Sequence, residues 1–313
     1  MYMKVVIAEK IDVLPEIYLS EIRKITNLKT YEDFPTSEVQ ILSRFADAEI
    51  AVVKWINFSE KVLDKAKQVK YIITLTSGFT HLPLVRARNK DITIVNCPSH
   101  NSNAVAEHVI ALMFAVSRNI TLCQTNLWKG NWRESPYSFL GTELSGKTLG
   151  IFGYGNIGKK VEKMAKGLGM NVVYVNTKSS ENDHINLLKQ SDYVSLNVPK
   201  TDKTYHLLDE KKLRLLKPTS YLINTSRGEI VDQKALYFLL KDGKVAGAGL
   251  DVFENSPAVG KAPKEIVDIA RLPNVVATPH IAFNTREAGE RMGKEFVDNI
   301  KAILKGKPIN VVN

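Results

Sequence analysis

The stretch Leu149 to Gly158, LGIFGYGNIG, constrains this chain more than any other, because an apolar run breaks there into Gly153-Tyr154-Gly155-Asn156-Ile157-Gly158. Thr148 to Phe152 reads as a buried strand, the glycines as a tight turn, and Ile157 to Leu168 as a helix whose apolar residues recur at helical spacing. Each glycine has a physical task. The first makes the turn, the second lets backbone approach a pyrophosphate, and the third lets the helix pack on its strand. The helix N-terminus then offers free N–H groups and a positive dipole end to phosphates. Glycine-rich turns are common, but a second strand, Asn171 to Val175, follows the helix and completes a βαβ unit. The expectation is a dinucleotide site with Gly153, Tyr154, Gly155, Asn156, Ile157 and Gly158 against the cofactor.

This motif sits in mid-chain, behind a complete α/β layer. Lys4 to Ala8, Ile50 to Val53, Tyr71 to Leu75 and Ile92 to Val95 read as strands. Helical stretches separate them: one from Pro15, one from Ser59 to Gln68 and one from Leu84 to Asn89. Such alternation implies a parallel sheet with helices on its faces. A long helix begins at Asn101, with Ser102 as its cap. After the motif the alternation resumes with strands Tyr193 to Leu196, Tyr221 to Ile223, Ala246 to Leu250 and Val275 to Ala277, and a helix from Arg286 to Leu304 that can return to the first layer.

The 313 residues, 44% hydrophobic and 24% charged, suffice for two α/β domains. No apolar run reaches membrane-spanning length, and MYMKVVIAEK reads as a strand rather than a signal peptide, so a cytoplasmic protein without membrane partners is expected. The formal charge of +10 is spread over helix faces with no basic run, so nucleic acid is not an expected partner. Cys97 and Cys123 show no zinc spacing and read as small apolar residues in a reducing compartment. The histidines His81, His100, His108, His184 and His206 form no ligand pattern, and no metal is expected.

Several blocks together carry a family resemblance. They are Asn103-Ala104-Val105-Ala106-Glu107-His108, Glu143 to Gly150 (ELSGKTLG), Leu222-Ile223-Asn224-Thr225-Ser226-Arg227-Gly228, Gly249-Leu250-Asp251-Val252-Phe253 and Thr278-Pro279-His280-Ile281. In that order the chain resembles the D-isomer-specific 2-hydroxyacid dehydrogenases, which include glyoxylate/hydroxypyruvate reductases and phosphoglycerate dehydrogenases. The resemblance implies two doubly wound parallel-sheet domains. A flavodoxin-like substrate domain would come from residues 1–100 and 284–313, and a Rossmann NAD(P)-binding domain, residues 101–283, would be inserted in it. It also implies a homodimer.

The chemistry needs a hydride carrier, a cation for the substrate and an acid/base. Arg227, at a strand end, can clamp an α-keto acid bidentately and polarise its carbonyl. His280, aligned with the family's acid/base, can give the carbonyl oxygen its proton. Ser77, Gly78 and Phe79 match the family's carboxylate-binding loop, although the family's usual continuation is replaced by Thr80-His81-Leu82-Pro83. Lys54 and Trp55 align with a position that often faces the substrate's tail, and equally suit a solvated lysine and a packing tryptophan. The resemblance adds Asp251 to the cofactor contacts.

Two departures from the family pattern carry information. Where an NAD-preferring member has an aspartate for the adenosine ribose, this chain has Asn176-Thr177-Lys178-Ser179-Ser180. A neutral Asn176 removes the repulsion of a 2′-phosphate, Lys178 adds a charge and Thr177 a hydroxyl, so NADP is the expected cofactor, with NAD as the alternative. The second departure lies in Asp251-Val252-Phe253-Glu254-Asn255-Ser256-Pro257, where Ser256 takes the position of the glutamate that usually supports the catalytic histidine. Glu254 can replace it if the loop bends differently. The expected activity is hydride transfer between NADP(H) and a small 2-keto acid, of the glyoxylate/hydroxypyruvate reductase type. A phosphoglycerate dehydrogenase-like enzyme and a non-catalytic dinucleotide sensor on the same fold are the alternatives.

Overall fold

The protein is described by a computed structural model that covers residues 2–56, 58–79 and 82–313. The chain divides into two compact units, Met1–Asn101 with Asn284–Asn313, and Ser102–Phe283.

The first unit is built on β1 (Lys4–Ile7), β2 (Asn27–Thr30), β3 (Ile50–Val53), β4 (Tyr71–Thr74) and β5 (Thr93–Val95). They form one sheet in the order β2-β1-β3-β4-β5 with every pair parallel, the flavodoxin-like order. A parallel sheet is covered on both faces, which is why Ile50-Ala51-Val52-Val53 is apolar throughout. The pleat sorts the strand residues by alternation. Val6, Ala51, Val53, Ile72 and Ile94 enter one core, and Val5, Ile7, Ile50, Val52, Ile73 and Val95 enter the other. The C-terminal helix Arg286–Leu304 adds Met292, Phe296, Val297, Ile300 and Ile303 to the second core and packs beside the helix Glu16–Ile25. Gly293 permits this approach, since a Cβ there would lie 2.2 Å from the Tyr18 ring. β2 escapes sequence reading because this edge strand, Asn27-Leu28-Lys29-Thr30, is polar and only half-buried.

The second unit carries β6 (Thr148–Phe152), β7 (Asn171–Val175), β8 (Tyr193–Leu196), β9 (Tyr221–Asn224), β10 (Gly247–Leu250) and β11 (Val275–Ala277). Their order is β11-β10-β9-β8-β6-β7, again all parallel, and the winding reverses between β6 and β8. The helix Ser102–Ser117 is apolar around most of its circumference and is therefore largely buried, with Val109, Leu112, Met113 and Val116 in the core. β10 accommodates it by lacking side-chain bulk, because a Cβ on Gly249 would lie 2.8 Å from Leu112 Cβ. No single helix among the described residues is long and apolar enough to cross a membrane.

Candidate active site

The glycine turn lies at the carboxyl ends of β6 and β8, where an open α/β sheet offers its crevice. Gly153 adopts φ 92°, and a Cβ there would stand 2.6 Å from the Asn197 carbonyl oxygen, so both its torsion and its neighbour require glycine. A Cβ on Gly158 would lie 2.3 Å from the Gly153 carbonyl oxygen, whereas Gly155 faces open space. The helix Asn156–Gly167 begins directly after Gly155 with no side chain capping its first turn. Those first amides therefore suit an anion. Two buried oxygens at the next strand ends, Asn197 Oδ1 and Thr225 Oγ1, have no partner within the chain. Buried polar atoms are nearly always satisfied. The turn, the uncapped helix and these two oxygens fit a bound dinucleotide.

At the end of β7, Asn176, Thr177 and Lys178 are exposed. The Asn176 Oδ1 accepts from the Lys178 amide at 2.9 Å, and Ser179 Oγ accepts from the Asn176 amide at 3.1 Å. Ser180 is committed elsewhere, since its hydroxyl and Asp183 form a reciprocal cap on the helix Glu181–Gln190. The Tyr154 ring stacks on Tyr174 at 3.7 Å, and its hydroxyl donates to Glu162.

Arg227 sits in the turn after β9. Asn224 organises that turn, its Oδ1 accepting from the Ser226 amide at 3.0 Å and its Nδ2 donating to the Arg227 carbonyl at 2.9 Å. Gly228 must be glycine, since a Cβ there would overlap the Phe253 backbone at 1.9 Å. Burial lowers the proton affinity of the Arg227 guanidinium, which the nearby Glu229 charge opposes. Nη1 donates to the Ser226 carbonyl at 2.6 Å.

Asp251 is the organiser of the neighbouring loop. It is fully buried, with Oδ1 accepting from the Thr278 hydroxyl at 2.6 Å and the Ile281 amide at 2.9 Å, and Oδ2 accepting from the Ala282 amide at 2.9 Å. His108 Nε2 lies 3.0 Å from Thr278 Oγ1 and 3.5 Å from Asp251 Oδ1. These bonds hold the Asp251 carboxyl below the usual range against the effect of burial. Asp251 is also an expected cofactor contact; its carboxylate oxygens accept from donors of the loop that carries His280. His280 itself adopts φ 54°, with its amide donating to the Asp251 carbonyl at 2.8 Å. The Phe283 ring meets its imidazole edge-on at 5.8 Å. Burial first, then the Arg227 charge, pushes the His280 imidazole below its ordinary proton affinity, while Asp251 pulls it upward.

Ser256 is exposed. Glu254 is not the substitute carboxylate that a different loop bend would supply, because its Oε1 pairs with His206 Nε2 and its amide donates to Gln233 Oε1 at 3.0 Å. The Asp251 charge does reach His280 and raises its proton affinity.

In the first unit, Ser77, Gly78 and Phe79 follow β4. Their carbonyls are tied back, with Asn96 Nδ2 donating to Ser77 at 2.9 Å and the Thr76 hydroxyl to Gly78 at 2.5 Å. Thr80 and His81 lie outside the described residues. Lys54 is buried, 6% exposed, rather than solvated. Neither cysteine forms a disulfide: Cys97 is buried and Cys123 half-buried. Among the described residues no group of histidine, cysteine and acidic side chains is arranged to hold a metal.

Residues 110–282 match the family described as D-isomer specific 2-hydroxyacid dehydrogenase, NAD binding domain. A glyoxylate reductase of Thermococcus litoralis is 37% identical over 96% of this chain and 94% of its own length. The chain belongs to the D-isomer specific 2-hydroxyacid dehydrogenase family. Two solved structures of the same build hold different nicotinamide cofactors. An acyclic imino acid reductase in complex with NADPH and D-arginine superposes with a TM-score of 0.90 at 34% identity, covering 99% of this chain and 100% of that one. A D-lactate dehydrogenase from Aquifex aeolicus, complexed with NAD and lactic acid, gives 0.84 at 30% identity, covering 97% and 96%. As a dehydrogenase of this family the chain uses a nicotinamide dinucleotide in a Rossmann-type domain.

Asn197 lies outside every recognisable block and carries no sequence signal of its own. Thr225, Thr278, His108 and Asp251 stand inside such blocks, but the approach of His108, Thr278 and Asp251 to one another is a tertiary fact.

Proposed function

We propose that the protein is a cytoplasmic, NADPH-preferring reductase of small 2-keto acids, of the glyoxylate/hydroxypyruvate type. The observation that carries this reading is that Arg227 follows β9 and His280 follows β11, at the carboxyl edge of one sheet with only β10 between them, and the guanidinium charge weighs on the imidazole. When bound, the reduced nicotinamide supplies a hydride to the carbonyl carbon. Arg227 holds the carboxylate and keto oxygen of the substrate and draws charge toward that oxygen. The His280 imidazolium releases its proton to the oxygen, leaving an alcohol and a neutral imidazole. Ser77, Gly78 and Phe79 receive the carboxylate through backbone amides. Gly153, Tyr154, Gly155, Asn156, Ile157 and Gly158 cradle the pyrophosphate, and neutral Asn176 with Lys178 and Thr177 accepts the 2′-phosphate. A homodimer is part of the reading, supported by the exposed Leu127, Trp128, Trp132, Tyr137 and Leu140 within a short stretch.

The test is a panel of glyoxylate, hydroxypyruvate, pyruvate and longer 2-keto acids, assayed with NADPH and NADH. Turnover of none of them, with tight cofactor binding, overturns the enzyme reading in favour of a dinucleotide sensor. A second reading, reduction of α-imino acids, is favoured by the exposed Ser256 and by the engagement of Glu254 with His206. An iminium brings its own proton, so it asks less of an imidazole whose proton affinity is lowered. Adding methylamine to the same panel separates the two: faster NADPH oxidation with amine present supports the imine substrate.

A further inference from the structure

The flavodoxin-like winding of the first unit reverses between β1 and β3, and the crevice outside the carboxyl ends of those strands is where such sheets take ligands. Two ionisable side chains are buried there. Glu9, just beyond β1, is 1% exposed, and Lys54, just beyond β3, is 6% exposed. The Glu9 carboxylate accepts from the amides of Lys54 at 2.6 Å, Trp55 at 3.0 Å and Ile56 at 3.3 Å. Three consecutive amides on one carboxylate fix the turn that follows β3, and they offset part of the cost of burying the charge, burial still raising the Glu9 carboxyl above its ordinary value. The Lys54 ammonium lies 5.6 Å from the Trp55 ring centroid. The Ser77-Gly78-Phe79 loop follows β4, the strand adjacent to β3.

Burying two ionisable side chains is a poor way to stabilise a fold, since apolar residues of similar volume do as well or better. Two such groups kept at the ligand-binding end of a sheet point to a task at that end. We propose that Glu9 is a positioning residue for the substrate: through three backbone amides it holds the 54–56 turn, and Lys54 with it, at the strand end next to the loop that takes the carboxylate. The proposal rests on the 2-keto acid reading above.

Four titratable side chains and one permanent charge bear on Lys54 and its neighbourhood. Glu9 favours its charged form. The Cys97 thiol is pushed far up by burial and stays neutral. His100 is held down to about 4 and is neutral above that pH. Arg291 and Glu295, on the helix Arg286–Leu304, face His100, the former donating to its carbonyl at 2.7 Å and the latter 4.0 Å from its ring. Burial pushes the Lys54 amine down to about 8, so its charge is lost within an accessible pH range.

The experiment measures oxalate binding to the full chain by calorimetry from pH 6.5 to 10, a readout independent of turnover. Oxalate affinity of the unaltered protein should weaken as pH rises through about 8. Glu9→Gln, which keeps the shape and an acceptor but loses the charge, should move that break downward by about one unit. Lys54→Arg should remove the break, and Lys54→Met should weaken binding below about pH 8 and converge on the unaltered protein above it. Thermal unfolding and NADPH binding report whether each variant is folded; Glu9→Asp is the rescue if Glu9→Gln is not. A flat profile in the unaltered protein, an unmoved break in Glu9→Gln, or a break retained in Lys54→Arg overturns the proposal. Keto acid turnover, measured separately, tests the catalytic reading alone.

Discussion

Asp251→Asn is an isosteric change whose effect follows directly from the hydrogen bonds of the site. The carboxylate receives three donors on two oxygens: the Thr278 hydroxyl and the Ile281 and Ala282 amides. The asparagine keeps one oxygen, so its amino group must face at least one donor that cannot move. Leaving one buried donor unpaired costs about 1–3 kcal/mol, and the bonds that survive lose the strengthening a charged acceptor provides. A total near 2–3 kcal/mol corresponds to a fall in Tm of roughly 4–12 °C for a unit of this size. The sign of the pH dependence is also determined. The Asp251 carboxyl is held below its ordinary value in the folded protein, so its contribution is complete above the ordinary aspartate range and is lost as pH falls through the folded value. The difference between the two proteins, measured by urea unfolding between pH 8 and pH 3, should therefore be constant near neutrality and shrink in acid. Because Asp251 also holds the amides that follow His280, 2-keto acid reduction should fall while NADPH still binds. An unchanged Tm, or a difference that grows toward low pH, refutes the reasoning.

Four further outcomes are expected. Reduction needs the His280 imidazolium, whose proton affinity is lowered, so the rate should decline as pH rises through that lowered value; Ser256→Glu should carry the decline to higher pH, and Glu254→Gln should leave it in place because Glu254 is spent on His206. Asn176→Asp should shift kcat/KM toward NADH, and Lys178→Ala should lower kcat/KM for NADPH by roughly two- to fivefold, as befits an exposed ion pair. Gly158→Ala would press a methyl group to 2.3 Å from the Gly153 carbonyl, with a stability loss of about 1–3 kcal/mol in urea unfolding and weaker binding of both cofactors. Replacing the exposed Trp128 and Trp132 together by serine should halve the sedimenting mass if that stretch is the dimer contact.

The sequence by itself determined much of the architecture, because its signals are local. β3 and β11 run over the residues their apolar patterns mark, and the glycine turn is legible because its local demands are met inside it, a positive φ at Gly153 and the close approach of Gly158 to the Gly153 carbonyl. The edge strand β2 stayed hidden because pairing on one side leaves it polar, and the helix Lys264–Ala270 because it is short and buries only Ile266 and Ile269. Arg227 and His280 were legible as parts of family blocks. What only the tertiary structure decided is which groups act on them. Asp251 became the carboxylate behind the His280 loop, and Glu254 went to His206, through contacts between segments 27 and 48 residues apart in the chain. The bond between Glu9 and the turn after β3 joins residues 45 apart. Such partners are set by parallel strands ending side by side, which brings loops distant in sequence to one edge of a sheet. No local pattern records that proximity.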